Sequence, residues 1–386
     1  MRLLHIADLH IGKRVCEYSM LEDQRYVLRG LLDLLKREES VGRGIDALLV
    51  AGDLYDKAQP SAEAVQLMSE FLSGVASAGV PAIVIPGNHD SAERVSYAGD
   101  FLAQQNVYVS GAYRGNVEPV VLNDEFGPVS IWPIPFVRPA DVRAVLPEAK
   151  IESYDDALRA LVESLPVDPS RRNVAVTHQF VTATGSAVDR SDSEVSVGGL
   201  DNVDVDVFDA FDYVAVGHVH RPQRIGREAA RYAGSLLKYS LSEADYDKSA
   251  VLVTMGAKGE EPGIELVPLK PLHDLRRIKG PLNELVSDRV VTAADSQDYL
   301  HVVLTDEHPV ANAMARLREA YPNVMNIEYD NARTRAAGVA ADAAAPDDNL
   351  DPFELFCDFY KSQNGEGLSE LQRKVVTDEL QSAGVM

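Results

Sequence analysis

Short apolar runs alternate with stretches of helical periodicity over residues 1–275. The runs occupy residues 3–7, 47–51, 82–85, 174–176 and 213–216. Apolar side chains recur at helical spacing over residues 27–35, and a second helix is predicted to start at Ser61 and to end at Gly79. Because strands that alternate with helices are typical of parallel sheets, residues 1–275 are expected to form an α/β domain with buried central strands.

The pattern changes after Pro271. Residues 299–304 are predicted to form a strand and residues 310–321 a helix, which together indicate a small α+β domain over residues 276–334. Residues 335–350 carry small and acidic side chains, which is typical of a flexible linker.

Residues 351–386 are predicted to form a helical hairpin. Its first helix would begin at Asp351-Pro352 and carry an apolar stripe, and its second would begin at Ser369, with Gln372 completing a capping box. Because this stripe has no domain of its own to bury it, we expect the hairpin to dock on a partner. The alternative is that it folds back onto its own chain.

Charge and cysteine content narrow the class of protein. The chain has 37 basic and 60 acidic residues, so its formal net charge is 37 minus 60, or −23, which argues against general coating of nucleic acids. Cys16 and Cys357 are too few for a disulfide framework. No apolar run reaches the ~20 residues that span a bilayer, and the first residues do not resemble a signal peptide. These observations predict a cytoplasmic protein that does not enter a membrane.

Residues that bind metals follow each predicted strand. They form the groups Asp8-Leu9-His10, Gly52-Asp53, Gly87-Asn88-His89-Asp90, His178 and Gly217-His218-Val219-His220. The carboxyl ends of parallel strands share one edge of a sheet, so these side chains are expected to converge. Each group taken alone is a weak signal, and a lone Asp-x-His is more typical of a loop, whereas five in order indicate one site. Carboxylate, amide and imidazole ligands suit divalent ions such as manganese.

The spacing suggests how the donor residues would be divided between two metal ions. Asp53 is the natural bridge between them. We assign three ligands to each ion, namely Asp8, His10 and His220 to one and Asn88, His178 and His218 to the other. Two ions ~3.5–4 Å apart stabilise the attacking and leaving oxygens of an in-line displacement, which favours phosphoester hydrolysis.

His89 lies beside Asn88, which already offers a ligand atom. Its imidazole is therefore left to stabilise charge or to protonate the leaving oxygen, and we predict a catalytic role for it. The alternative is a hydrogen bond that supports another ligand. Asp56 and Asp90 are candidates for orienting a histidine, and plain turn chemistry is the alternative for either. Several cations adjoin the motifs and form either a rim for DNA or pairs with acids: Lys13, Arg14, Arg94, Arg221 and Arg224.

The order of these motifs resembles the calcineurin-like metallophosphoesterase superfamily over residues 1–275. Four segments, residues 86–91, 178–180, 217–222 and 232–235, are similar to those of bacterial DNA nucleases within that superfamily. The resemblance implies a metallophosphoesterase core, a sheet-based α/β sandwich, with a small cap domain at 276–334 and the hairpin at 351–386. It also implies a manganese-dependent exonuclease and endonuclease that acts on double-stranded DNA ends and hairpins.

The same resemblance implies partners. An SMC-like ABC ATPase would bind the hairpin and hold the ATP, since this chain has no Walker-type phosphate loop. Two nuclease subunits would pair as a homodimer within a heterotetramer, and the cap would contact DNA.

Three other functions stay open. A phosphoprotein phosphatase is suggested by residues 52–58, although Lys57, Ala58 and Asp90 depart from the phosphatase motif. A small-molecule or cyclic-nucleotide phosphodiesterase would use the same metals but leave the cap and hairpin without a purpose. A scaffold subunit with purely structural metals would not need His89.

Overall fold

The chain folds into two compact units, Met1–Asp274 and Leu275–Met386. The computed structural model describes residues 1–40, 44–183, 188–189, 191, 201–335, 353, 356–357, 360–361 and 367–382. Among these residues, no helix combines the length and the apolar character needed to cross a lipid bilayer.

The strands are, in chain order, β1 (Arg2–Ile6), β2 (Arg14–Val15), β3 (Tyr18–Ser19), β4 (Ala47–Ala51), β5 (Ala82–Ile85), β6 (Val107–Val109), β7 (Val120–Asp124), β8 (Gly127–Ile134), β9 (Arg172–His178), β10 (Phe180–Thr182), β11 (Asn202–Asp204), β12 (Tyr213–Gly217), β13 (Gln223–Ile225), β14 (Arg227–Tyr232), β15 (Ser249–Thr254), β16 (Gly263–Pro268), β17 (Leu275–Gly280), β18 (Tyr299–Leu304) and β19 (Val324–Tyr329). The helices are α1 (Leu21–Ser40), α2 (Ala62–Ser77), α3 (Ala92–Val95), α4 (Gly99–Ala103), α5 (Pro139–Val145), α6 (Tyr154–Ser164), α7 (Leu282–Leu285), α8 (Asp288–Val291), α9 (Ala313–Ala320) and α10 (Glu370–Ser382), with 3-10 turns at Val205–Phe208 and Leu241–Glu243.

Two six-stranded sheets organise the described part of the first unit. The first sheet has the order β16-β15-β1-β4-β5-β6, and β1, β4, β5 and β6 run parallel. The second has the order β13-β14-β12-β9-β8-β7, and β14, β12, β9 and β8 run parallel. The parallel strands expected from the sequence are therefore divided between two sheets that form an α/β sandwich.

The core between the sheets is made of small and branched side chains. Leu3, Leu49 and Ile83 of the first sheet pack in one cluster with Val176 and Ala215 of the second. The outer face of the second sheet packs against α5 and α6. Since both faces of β4 are buried, this strand is apolar throughout and not alternating. Strand β9 is also buried along its length, with apolar residues at 174–176 and polar residues at both ends.

Several element boundaries agree with the sequence pattern. Strands β4, β5 and β18 have the predicted bounds, and Ser61 caps α2, its Oγ accepting from the Ala64 N–H at 3.3 Å. Helix α1 is longer than the periodicity over residues 27–35 indicated. Helix α2 ends at Ser77, two residues before the predicted stop at Gly79.

The second unit contains a small sheet with the order β17-β18-β19. All three strands are parallel, so helices connect them in a βαβαβ order where the pattern suggested α+β. In the tail, Ser369 and Gln372 form the expected capping box, because the Gln372 Oε1 accepts from the Ser369 N–H at 2.9 Å and the Ser369 Oγ from the Gln372 N–H at 3.4 Å. Residues 336–350 of the predicted linker lie outside the described residues, and the division of this unit into cap, linker and hairpin stays a prediction.

Candidate metal centre

Polar residues at the carboxyl ends of strands from both sheets meet in the first unit. Asp8 and His10 follow β1, Asp53 follows β4 and Asn88 follows β5. From the second sheet, His178 ends β9, and His218 and His220 follow β12. A hydrogen bond joins the two sheets here, since His178 Nδ1 lies 2.8 Å from the Ala51 carbonyl oxygen. The structure thus brings all seven predicted metal ligands together.

Asp8, His10 and His220 form one group of donors. Their ligand atoms lie within 4.8 Å of one another, and all three residues are buried. The Nε2 atoms of His10 and His220 are 3.1 Å apart. Two imidazole nitrogens that face each other so closely are well placed to share a cation.

Asn88, His178 and His218 form a second group. The Asn88 Oδ1 lies 3.0 Å from both His178 Nε2 and His218 Nδ1. Because His178 Nδ1 is used by the Ala51 carbonyl, its Nε2 carries the lone pair when the ring is neutral. In that tautomer, the Nε2 and the Asn88 oxygen are two acceptors that face each other.

Asp53 lies between the two groups. Its Oδ2 is 3.3 Å from His178 Nε2 and 3.5 Å from His10 Nε2. Its Oδ1 accepts from the His89 N–H at 2.9 Å. One carboxylate oxygen therefore faces both groups while the other is held by the backbone.

Burial and mutual charge shift the pKa values of these groups in opposite directions. Burial raises the pKa of Asp8 to about 7. Burial alone would also raise the pKa of Asp53, but the imidazoles around it, His178 first, hold that pKa well below its ordinary value. Burial alone would lower the pKa of His178, but Asp53 and Asp8 raise it to about 9. Such packed acids and imidazoles are a donor set that fits a divalent cation.

Four of the seven donor residues have left-handed backbone angles. The φ values are 51° at Asp8, 43° at His10, 50° at Asp53 and 104° at His218. Side chains other than glycine rarely adopt this region, and such strain is concentrated at functional sites. Backbone hydrogen bonds hold two of these residues, from the Asp8 N–H to the Gly52 carbonyl at 3.1 Å and from the His10 N–H to the Asp53 carbonyl at 2.9 Å.

Two glycines of the motifs allow the strands to approach each other. A Cβ at Gly217 would lie 1.8 Å from the Ala51 carbonyl oxygen, and a Cβ at Gly87 would lie 2.2 Å from Asp53 Oδ1. Neither position has room for a side chain. The glycines that precede Asn88 and His218 are thus required by the convergence of the strand ends.

His89 is half-buried beside the donor groups. Its Nδ1 lies 3.0 Å from the Asp56 carbonyl oxygen, and its ring meets that of His10 edge-on at 4.9 Å between centroids. With Nδ1–H donating to Asp56, the Nε2 is left for the reaction or for a ligand. A ligand role is also geometrically open, because ligand atoms of His10, Asp53 and His89 lie within 4.8 Å of one another.

Asp90 has the turn role that was the alternative for the two carboxylates, whereas the Asp56 carboxylate lies 4.0 Å from the Nδ1 of His10. Asp90 accepts from the N–H groups of Leu54, Tyr55 and Gly87, at 3.0, 3.0 and 2.9 Å, and so ties together the loops after β4 and β5. Burial raises the pKa of Asp90 to about 6. Asp56 orients His89 through its carbonyl, while its carboxylate pairs with Lys13 at 2.9 Å.

Glu243 is a supporting residue that the sequence reasoning missed. It is buried, and its Oε1 lies 3.2 Å from His220 Nδ1. Lys248, also buried, donates to Glu243 Oε2 at 2.5 Å and to the His220 carbonyl at 2.8 Å. Glu243 follows no predicted strand, so neither periodicity nor motif spacing could indicate it. The one nearby signal is Ser235, within the motif 232–235, whose Oγ accepts from Lys248 at 2.8 Å.

The cations beside the motifs are mostly paired. Lys13 contacts Asp56, Arg221 contacts Asp189 at 2.8 Å and Arg224 contacts Glu228 at 3.1 Å. These contacts agree with the interpretation of paired surface charges for those three residues.

Comparisons with known proteins match both parts of the chain. A family model described as calcineurin-like phosphoesterase matches residues 1–222, and one described as type 5 capsule protein repressor C-terminal domain matches residues 271–364. The SbcD subunit of the nuclease SbcCD of Staphylococcus epidermidis is 28% identical over 378 residues, which is 96% of this chain and 96% of that protein. The crystal structure of TT1561 of Thermus thermophilus aligns with 70% of this chain and 99% of its own, with 13% identity and a TM-score of 0.41. All seven donor residues and His89 lie within residues 1–222, the range that the calcineurin-like phosphoesterase model matches.

Proposed function

The chain belongs to the calcineurin-like phosphoesterase family, and from this premise we propose that it is the nuclease subunit of an SbcCD-type DNA repair and recombination complex. It is a phosphoester hydrolase, and its substrates would be double-stranded DNA ends and hairpins, cut in exonuclease and endonuclease modes. The observation that carries the proposal is the meeting of seven donors, with Asp53 between two groups of them. The match of 96% of the chain to a protein named as an SbcCD nuclease subunit supports DNA as the substrate.

Two divalent ions, Mn²⁺ in our proposal, would be held by the seven donors. Asp8, His10 and His220 would hold one, Asn88, His178 and His218 the other, and Asp53 both. When bound, the ions would polarise the phosphoryl group and balance the charge on the attacking and leaving oxygens. The protein holds the donors in advance, because Glu243 fixes His220 and the Ala51 carbonyl fixes His178.

His89 would protonate the leaving oxygen. The Asp56 carbonyl fixes its ring through Nδ1, so a proton on Nε2 can be delivered at a set position. We expect His89→Ala to keep two equivalents of Mn²⁺ in a binding titration while hydrolysis falls by about 10²–10⁴-fold. If the variant instead loses one equivalent of Mn²⁺, His89 is a ligand and another group is the acid.

The tail would bind an SbcC-type partner, an SMC-like ABC ATPase. Phe356, Tyr360, Leu368, Leu371 and Val375 surround a cavity of about 230 Å³. Leu371 is 75% exposed and Val375 54% exposed, which is a large apolar area to leave in water. A helix of the partner laid along this face would cover it.

A homodimer of nuclease subunits, within a heterotetramer, is supported by another apolar area. Tyr97 is 83% exposed and Phe101 66% exposed, and they lie four residues apart, at and next to α4. Aromatic residues so exposed are typical of protein interfaces.

The cytoplasm would be the location of the protein, which agrees with the free thiols of Cys16 and Cys357. DNA contact by residues 276–334 stays a prediction.

The proposed function is tested by cleavage with the purified chain. A hairpin-ended DNA, a phosphopeptide and a cyclic nucleotide would be incubated with Mn²⁺, each with and without the ATPase partner, and His218→Ala would serve as the control for contaminants. We expect DNA cleavage that is lost in the variant. Turnover of the phosphopeptide with intact DNA would point to a phosphatase, and silence on all substrates with the partner present would point to a scaffold subunit.

A further inference from the structure

A cavity of about 180 Å³ adjoins the metal centre. Asn88 and His218, two of the seven donors, belong to its lining. The rest of its wall is contributed mainly by the segment after β8, the start of α6 and the residues after β9, through Phe136, Tyr154 and Phe180. A group bonded to a phosphate at the donors is therefore within reach of this cavity.

Three aromatic rings define the walls. The Phe136 ring lies 6.4 Å from Tyr154, tilted by 41°, and 6.4 Å from His178. The Phe180 ring lies 6.2 Å from His218. Phe180 is buried, whereas Phe136 and Tyr154 are half-buried, so their rings are held by packing and still reach the cavity.

The charged residues of the wall do not favour a second phosphate, because Arg138 and Asp201 carry opposite charges. The Arg138 guanidinium lies 5.9 Å from the centre of the Phe136 ring, an arrangement that extends the stacking surface. Asp201 also lines the cavity, and its negative charge disfavours a second phosphate there. Gln179 Nε2 donates to the Val137 carbonyl at 3.1 Å, which fixes that amide.

We propose that this cavity, the base pocket, binds the nucleobase next to the phosphate that is cut, with Phe136 as the residue that determines this specificity. The inference rests on the proposed function, because it takes the phosphate to be held at the seven donors. Bases of any sequence stack on aromatic rings. The pocket would therefore select nucleotides over other phosphoesters without selecting a DNA sequence.

The test compares two ligands that differ only in the base. Binding of thymidine 5′-monophosphate and of 2-deoxyribose 5-phosphate would be measured by calorimetry with Mn²⁺ present. We expect the wild-type chain to bind the nucleotide about tenfold more tightly or better, in the range of stacking on one aromatic ring. In Phe136→Leu, which keeps apolar volume but has no flat ring, this preference should fall below about threefold.

Phe126→Ala is the matched control, because Phe126 is 51% exposed in the turn at the opposite end of β8 and should keep the full preference. A Mn²⁺ titration and a thermal melt of each variant separate loss of the pocket from loss of the donors or of the fold. Equal binding of the two ligands by the wild-type chain, or an unchanged preference in Phe136→Leu, would overturn the proposal.

A parallel assay of hairpin DNA keeps the two proposals apart. If the wild-type chain cleaves hairpin DNA but does not prefer thymidine 5′-monophosphate over 2-deoxyribose 5-phosphate, the base-pocket proposal is wrong and the nuclease function stands. If DNA is not cleaved even with the ATPase partner present, the proposed nuclease function is wrong. Binding of phosphotyrosine that depends on Phe136, without a preference for thymidine 5′-monophosphate over the sugar phosphate, would assign the pocket to a phosphopeptide and overturn the proposal.

Discussion

Residues that do not offer a metal ligand keep the donors in position, including Asp53, whose φ is 50°. Asp90 ties the loops after β4 and β5 through three backbone N–H groups, and Glu243 fixes the ring of His220. Donor residues at positive φ would relax toward ordinary backbone angles without such bonds. At the scale of single residues, the site therefore depends on its supports as much as on its donors.

Gly217 has no room for a side chain, which gives a direct test of the convergence. In Gly217→Ala, the new Cβ would clash with the Ala51 carbonyl that fixes His178. We expect the free energy of unfolding to fall by about 1–3 kcal/mol and the Mn²⁺ affinity to fall by about tenfold or more. Denaturant unfolding and a Mn²⁺ titration measure these effects. Gly30→Ala is the control, since a Cβ there meets nothing within 4 Å and should stabilise α1 by about 0.5–1 kcal/mol. Unchanged Mn²⁺ affinity in Gly217→Ala would contradict the close approach of the strand ends.

Glu243→Gln tests the support of His220. Glutamine can still accept from the imidazole, but the negative charge that increases the basicity of the ring is lost, so Mn²⁺ affinity should fall by about 10–100-fold. Calorimetry with Mn²⁺ measures the affinity, and a thermal melt reports any loss of fold caused by the unbalanced charge of Lys248. Glu265→Gln, on the exposed edge of β16, should change neither quantity. A folded Glu243→Gln variant with the affinity of the wild type would show that the negative charge of Glu243 has no influence on the site.

At the scale of secondary-structure elements, a buried charge pair holds the second sheet together. Arg172 on β9 reaches across β8 to Asp124 on β7, with Nη1 donating to Asp124 Oδ2 at 2.9 Å. Arg172 also donates to the carbonyls of Gly127 at 2.6 Å and Gly256 at 3.0 Å. The Arg172 side chain is only 2% exposed, so its charge depends on these acceptors.

Asp124→Asn should lower the free energy of unfolding at pH 7 by about 2–4 kcal/mol, because it leaves the Arg172 charge without its carboxylate. Hydrogen bonds from Arg172 hold the pKa of Asp124 well below its ordinary value. The stabilisation is therefore complete above the unfolded pKa of about 3.9 and is lost as the pH falls through the native pKa. Urea unfolding at a series of pH values from 7 to 3 should show that the difference in free energy of unfolding between wild type and variant becomes smaller at acid pH. Glu125 is exposed in the same turn, so the free energy of unfolding of Glu125→Gln should equal that of the wild type at each pH. A difference between wild type and Asp124→Asn that does not change with pH would contradict the ionic role of Asp124.

At the scale of the whole molecule, catalysis and partner binding are assigned to different units. The seven donors and the base pocket belong to Met1–Asp274. The cavity of the tail that Leu371 and Val375 line, called the apolar groove below, belongs to Leu275–Met386. Each unit has a hydrophobic core of its own. Substitutions in the tail should therefore leave the chemistry of the first unit intact.

Leu371→Asp combined with Val375→Asp should reduce affinity for the SbcC-type ATPase by about 100-fold or more, because both side chains are exposed on the apolar groove and charges at an interface core are costly. A pull-down and a binding titration with the purified ATPase measure this, and Mn²⁺-dependent cleavage by the isolated chain should not change. Thr377→Asp adds the same charge at a position of α10 that does not line the groove and is the control. Full binding by the double variant would place the docking surface elsewhere.

Much of the site could be predicted from the sequence because its residues follow apolar runs directly. Asp8, Asp53, Asn88, His178 and His218 each lie within three residues of the end of a strand, so strand periodicity alone indicated where they would be found. Asp56 shows the limit of this reasoning. Its carbonyl oxygen accepts from His89, while its carboxylate lies 4.0 Å from the Nδ1 of His10, and no pattern of side chains encodes the direction of a carbonyl.

The spacing of apolar and polar residues was enough to predict the α/β class of residues 1–275, the strands β4, β5 and β18 and the residue types at the strand ends, because these depend on neighbours within a few positions of the chain. Three features come from long-range contacts instead: the strands divide between two sheets, the Ala51 carbonyl fixes His178 across 127 positions of the chain, and Glu243 lies behind His220. Those contacts depend on how the two sheets pack. Packing is decided by the shapes of buried side chains such as Leu49 and Val176, which local spacing does not record.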